Sequence, residues 1–234
     1  MTKEISYEKS KMCKEEKRKL FNLPSYTLLE EILNAVTHGI GAALAIAAIV
    51  LLPIFSNHNA KTITCVTIYA STLFILYIVS TLYHALGINK AKKVFRVLDH
   101  CSIFLLIAGT YTPISLLMLP NTLGIILAVV VWAAAIVGIV LNSINLKKYA
   151  KFSMACYIGM GWCVIFAIKP LIESVNSLQL VFLFVGGLFY TVGAVIYAIG
   201  KKSKAKYVHS LWHLFVLAGS IFHFFMIFDF IKTQ

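Results

Sequence analysis

Acidic residues are scarce in this chain of 234 residues: nine Asp and Glu stand against 21 Lys and Arg, and charged residues of every kind make up 13% of it. Soluble domains carry about a quarter of their residues charged, so an ordinary water-facing surface is excluded. Cysteine is sparse too. Cys13, Cys65, Cys101, Cys156 and Cys163 form no CxxC pair and no even set, which excludes a disulfide framework or a thiolate metal knuckle. Four of them read as small apolar helix residues and Cys13 as a thiol in a reducing cytoplasm. The sequence also lacks a nucleophile elbow, a P-loop and a dinucleotide fingerprint, and it has no internal repeat to support an inverted-repeat transporter. A cleavable signal peptide is not expected, because the first apolar run follows a charged tail and is too long for a signal h-region.

What the chain does have is hydrophobicity, at 60% of its residues. Apolar runs fall at 33–54, 63–87, 97–119, 122–144, 152–171, 178–199 and 207–231, each near the about 20 residues that a bilayer requires. The expected fold is all-α: a polytopic membrane protein, a seven-transmembrane-helix bundle formed by residues 31–234 behind a flexible basic cytoplasmic tail at 1–30. Gly39 and Gly41 in span one, and Gly186 and Gly187 in span six, suit close helix approach. Pro113, Pro120 and Pro170 read as kinks or termini.

The net charge of +12 would suit nucleic acid were it not for its placement. Eighteen of the 21 basic residues lie in the tail and in the loops after spans two, four and six, leaving Lys61, Lys169 and Lys232 on the other side. The positive-inside rule then puts the N-terminus in the cytoplasm and the C-terminus outside the cell. The partners expected of the basic face are membrane lipids with anionic headgroups; no nucleic-acid motif competes.

Ionisable groups inside a membrane cost a few kcal/mol each and are functional suspects. Ser80 and His84 ("STLYH") stand near the cytoplasmic end of span two, Asp99 and His100 ("RVLDH") just inside the start of span three, and His209 and His213 ("HSLWH") in the first turns of span seven. At about 1.5 Å per residue the last two lie about 4 and about 10 Å into the span, so three helices deliver these groups to one depth. Residues four apart share a helix face. His209 and His213 can therefore grip one metal ion, and His84 is the natural third ligand of a three-nitrogen set that favours Zn2+. Three protein ligands leave an open position, the pattern of catalytic zinc sites. Asp99 would then hold or deprotonate a water there and Ser80 would hydrogen-bond a ligand or a polarised carbonyl. Interhelical hydrogen bonding and a proton relay are the alternatives for the same cluster. His38 is expected to be structural, a partner behind the site or a headgroup contact. His100 is expected to be structural, His223, about 21 Å along the helix from His209, to lie too far away to join the site, and His58 to lie in an external loop with no evident role. Glu30 and Glu31 are expected to cap span one or to pair with the basic loops.

Four stretches, "EEILNAVTHGIGA" (30–42), "STLYHAL" (80–86), "LDHCSIFLLIAGTYTP" (98–113) and "HSLWHLFVLAGSIFHF" (209–224), resemble the bacterial hemolysin III family, related to the progestin and adipoQ receptors and to the alkaline ceramidases. The resemblance implies a seven-helix bundle with a cytoplasmic N-terminus and an intramembrane zinc surrounded by Ser-x-x-x-His, Asp and His-x-x-x-His elements. On this sequence His84, His209 and His213 would be ligands, Asp99 would engage the bound water, and Ser80 would lie beside it. The expected activity is zinc-dependent hydrolysis of a lipid amide or ester in the cell membrane. A cytolysin or pore, a regulator of membrane state with structural zinc, and a lipid-sensing receptor stand as alternatives.

Overall fold

The computed structural model describes residues 13–57, 59–203 and 205–234, without the side chains of 201–203. The first twelve residues of the tail, and His58, lie outside the described residues. No strand occurs among those described. The elements are α1 (Lys14–Leu20), α2 (Leu28–Ile54), α3 (Ala60–Ala85), α4 (Lys90–Met118), α5 (Asn121–Trp162), a 3-10 turn (Cys163–Ala167), α6 (Ile168–Ser174), α7 (Ser177–Ser203) and α8 (Val208–Thr233).

Caps set the starts of the long helices. Thr27 and Glu30 form a reciprocal capping box at the head of α2: Thr27 N donates to Glu30 Oε2 at 2.8 Å and Glu30 N to Thr27 Oγ1 at 3.2 Å. Asn59 Oδ1 accepts from Lys61 N at 2.9 Å, and Asn89 Oδ1 from Lys92 N at 2.9 Å, satisfying first-turn donors of α3 and α4.

Six helical stretches are long and apolar enough to cross a membrane: Leu28–Ile54, Ala60–Ala85, Lys90–Met118, Asn121–Ser174, Ser177–Gly200 and Val208–Thr233. The fourth of these combines what the sequence divides into spans four and five. It does not run straight. Asn145 is extended inside α5 (φ −157°, ψ 90°), and beyond it the chain folds back: Ser153 Oγ donates to Asn142 Oδ1 at 2.6 Å, whereas in an unbroken helix these positions would be about 16 Å apart along the axis. Both arms then pack on α4, through Cys101 Sγ to Ile139 O at 3.7 Å and Tyr157 OH to His100 O at 2.7 Å. This hairpin is compatible with seven crossings. The second arm ends in the 3-10 turn and α6, with Pro170 in the first turn of α6, where a missing N–H costs no intrahelical bond.

Consecutive helices α2 to α5 pack side by side, α7 pairs with α8, and α8 returns against α2, α3 and α4. Helix α4 is the central post: 72% of its apolar window is buried inside the bundle, against 17% for that of α7. Close approach is literal at Gly109 of α4, where an added Cβ would fall 1.9 Å from Thr72 Oγ1 of α3. The outward faces carry Val129, Ile136, Val140, Phe184 and Ile199, all exposed, a surface suited to lipid. The polar side chains point inward: Asn34, His38, Ser80, His84, Asp99, His209 and His213 are all buried. With the apolar residues outside and the polar ones within, the molecule is an all-α polytopic membrane protein.

The described part of the tail, residues 13–30, packs on the bundle. Residues 14–20 are helical, Leu23 is buried, Arg18 Nη2 donates to Tyr26 O at 2.6 Å, and Arg96 of α4 donates to Asn22 O. Guanidinium groups on two elements thus tie the backbone ahead of α2 onto the bundle.

Candidate metal centre

The end of α3 and the start of α8 bring His84, His209 and His213 together. One nitrogen from each lies within 4.8 Å of the others, and this is the group of potential ligands that converges among the described residues. His209 and His213 share a face of α8 because they are four residues apart; their Nε2 atoms are 3.2 Å apart. That separation matches the about 3.3 Å edge of a tetrahedral site with Zn–N bonds near 2.05 Å.

Which nitrogens are free follows from the partners of the others. His84 Nδ1 is 2.7 Å from Glu31 Oε2. A carboxylate has no proton to give, so Nδ1–H donates and Nε2, which is buried with no partner, faces the trio as an acceptor. The Asn34 amide nitrogen also lies 3.4 Å from His84 Nδ1; the shorter contact to the carboxylate fixes the tautomer. His213 Nδ1 donates to Asn34 O at 3.3 Å, which leaves its Nε2 free as well. His209 Nδ1 has no partner. Three buried imidazoles whose ring nitrogens converge, two with Nδ1 given to an oxygen, have the donor set a metal ion takes. The residues fit.

Helix α2 supplies most of the surroundings. Glu31, Asn34 and His38 fall at i, i+3 and i+7 on one face. Asn34 Oδ1 accepts from Ser210 Oγ at 2.6 Å. His38, for which a structural role, a place behind the site and a headgroup contact were the expectations, is fully buried and stacks on His213, ring centroids 3.6 Å apart and 13° from parallel; both of its nitrogens lack partners. Glu30 caps α2 as expected and also accepts from Tyr207 N at 2.9 Å, where the left-handed Tyr207 (φ 63°) turns the chain into α8. Tyr26 covers the end of the cluster nearest the start of α8, its ring stacked on His209 at 5.0 Å and 18°. Burial, then the acidic side chains Tyr83, Tyr197, Asp99 and Glu31, push the Tyr26 hydroxyl well above the usual tyrosine value.

Ser80 Oγ is buried without a partner one turn before His84. Asp99 is buried too and within Coulombic reach of Tyr26; its Oδ2 lies 3.6 Å from His100 Nδ1. His100 itself binds Arg96 O at 3.0 Å. His223 stands apart from the trio, its Nε2 donating to Leu183 O at 3.2 Å.

Sequence reasoning missed the oxygens behind the imidazoles. Glu31, expected to cap span one or to pair with the basic loops, does pair with Lys92 of the loop after span two, but its contact with His84 and the place of Asn34 behind the site are not visible in the sequence. The available signal was an Asn inside an apolar run, at helical spacing from a Glu and a His.

A bundle of apolar-faced helices around a buried three-histidine cluster defines a multi-pass membrane protein with a candidate metal centre. The profile described as "Haemolysin-III related" matches residues 26–224. The chain is 43% identical to "Hemolysin-3" of Bacillus cereus over 200 residues, 85% of this chain and 90% of that protein. It is likewise 43% identical to the "Hemolysin-3 homolog" of Bacillus subtilis (strain 168) over 204 residues, 86% of this chain and 94% of the other. The protein belongs to the haemolysin III family, a family of the cell membrane.

Proposed function

We propose that this protein is a zinc-dependent hydrolase that cleaves an amide or ester bond of a membrane lipid at the depth of the cytoplasmic headgroups, with its N-terminus in the cytoplasm and its C-terminus outside. The observation that carries the reading is the convergence of one ring nitrogen from each of three buried histidines, with Nδ1 of His84 and of His213 already engaged by oxygens. Zinc held by three nitrogens supplies an activated water and polarises a carbonyl. His84, His209 and His213 hold the ion. Asp99 takes the proton of the attacking water, and Ser80, whose hydroxyl is otherwise unpartnered, donates to the scissile carbonyl oxygen. Tyr26 lies over His209 on the cytoplasmic side and excludes bulk water there. The lipid enters from the bilayer, bringing its headgroup to the Lys and Arg of the basic face.

The test is elemental analysis of detergent-purified protein. Wild type is expected to hold about one zinc and a His209→Ala, His213→Ala double variant none; the Asp99→Ala protein keeps zinc and loses lipid hydrolysis. Wild type that holds no metal under zinc-replete conditions overturns the reading, and turnover by zinc-loaded Asp99→Ala removes Asp99 from it.

A second reading, in which the metal only braces the bundle, draws on the same geometry, since the trio ties α3 to α8. The relatives' names speak of haemolysis, and dye release from liposomes that survives removal of all three histidines would favour a cytolysin. Against a monomeric pore, spans four, five and six carry almost no charge across their middles.

A further inference from the structure

Glu31 stands at a junction that helix capping does not explain. One carboxylate oxygen accepts from His84 Nδ1 at 2.7 Å and the other lies 2.9 Å from Lys92 Nζ. Lys92 is a buried lysine, 3% exposed, and its ammonium also donates to Tyr83 O at 2.9 Å, Leu86 O at 3.0 Å and, more weakly, His84 O at 3.4 Å. These carbonyls end α3, where the helix has no further N–H to offer and the dipole attracts a cation. A single ammonium from the first turn of α4 therefore fixes the end of the helix that carries His84 and also the carboxylate that orients the His84 ring. A simple interhelical clasp would need only the Lys92 contact. The second oxygen of Glu31 is directed at the ring nitrogen that turns Nε2 toward His209 and His213.

We infer that Glu31 is the positioning residue of the metal centre: held by Lys92, it fixes the tautomer and rotation of His84 so that Nε2 is preset for a metal ion. The inference rests on the metal reading above and deepens it. Glu31 touches neither ion nor substrate. Its effect is on how tightly the site closes, because an imidazole with a fixed orientation loses less freedom when it coordinates, and a carboxylate partner makes it a stronger donor. His213 has the weaker equivalent in the Asn34 carbonyl, and His209 has none, so the anchoring is graded across the trio with Glu31 at its strong end.

Zinc affinity, measured by competition with a chelator in detergent, tests this with Glu31→Ala, Glu31→Gln and Lys92→Met beside wild type, together with the visible spectrum of each cobalt-loaded protein and the melting of each metal-stripped one. Glu31→Ala is expected to weaken zinc by about 10- to 100-fold and to alter the cobalt bands, while the stripped protein melts close to stripped wild type. Glu31→Gln, whose amide oxygen still accepts from Nδ1–H, falls between the two, and Lys92→Met weakens zinc less than Glu31→Ala. Wild-type affinity and cobalt bands in Glu31→Ala overturn the inference alone. So does an equal loss in Glu31→Ala and Glu31→Gln accompanied by an equal drop in the melting of both stripped proteins, which would make Glu31 a residue of the fold. Wild type that binds no zinc overturns the metal reading and this inference with it.

Discussion

Helix α8 carries buried histidines in both halves, and the two halves treat them differently. In the C-terminal half, His223 donates Nε2–H to Leu183 O and lies against Tyr190 at 5.3 Å, while Tyr77 and Tyr190 both reach Ser220 Oγ, at 2.6 and 2.7 Å. This end is knit into a local network between α3, α7 and α8, with Gly186 of α7 packed directly on the imidazole. In the N-terminal half, His209 and His213 turn toward each other and toward His84, and the nitrogens they share are not spent on backbone carbonyls. Both histidine environments are costly to bury. The one around His223 recovers part of the cost through the Nε2 hydrogen bond and the Ser220 network, with His223 Nδ1 left without a partner. The one around His209 and His213 brings ring nitrogens of three histidines together, which is the arrangement that an ion completes.

The largest effect should come from removing His84. His84→Ala is expected to abolish stoichiometric zinc, measured by elemental analysis, whereas His223→Ala leaves zinc content at the wild-type value; loss of zinc from the His223 variant would erase the distinction between the two ends. Next is Gly186→Ala. The new Cβ would lie 2.4 Å from His223 Cδ2 and 3.1 Å from Gly219 O, so α7 and α8 must part, at about 1 to 3 kcal/mol by the usual cost of overpacking. A fall in melting temperature without loss of zinc is expected. Ser220→Ala is milder: two tyrosine hydroxyls lose the oxygen they share, at about 1 kcal/mol for the network, again read by melting and again with zinc retained. A Ser220 variant that loses zinc would couple the halves that the geometry separates.

The trio was legible in the sequence because three local rules sufficed. A four-residue spacing puts His209 and His213 on one face, loop charge fixes the direction of each span, and direction fixes depth. The oxygens behind the trio were not legible, because each joins elements distant in the chain. A Glu beside the start of a span satisfies the description of a cap, and the neighbouring Glu30 is one; only the packing of α2 against α3 sets Glu31 on His84 and Lys92. The turn at Asn145 was anticipated by the lysines around it, while the interruption at 163–167 follows an apolar stretch that a hydropathy count reads as continuous. The contacts of Arg18 and Arg96 are of the same kind as that of Glu31: each is counted as solvated charge until its carbonyl partner on the segment 22–26 is known.

Tyr26 allows the smallest and most local test, just ahead of the start of α2. Its hydroxyl is held above the usual tyrosine value chiefly by burial. The folded protein therefore keeps this proton at a pH where the unfolded chain, near a pKa of about 10, releases it. The sign follows: the contribution to stability is whole below about pH 10 and is lost as pH rises through the folded value. Tyr26→Phe keeps the ring stacked on His209 and removes the ionisable group, so its stability should decline less steeply above pH 10 than that of wild type, with zinc content unchanged. Superimposable alkaline melting curves would mean that the hydroxyl titrates as it does in water, and that the segment ahead of α2 stands off the metal centre.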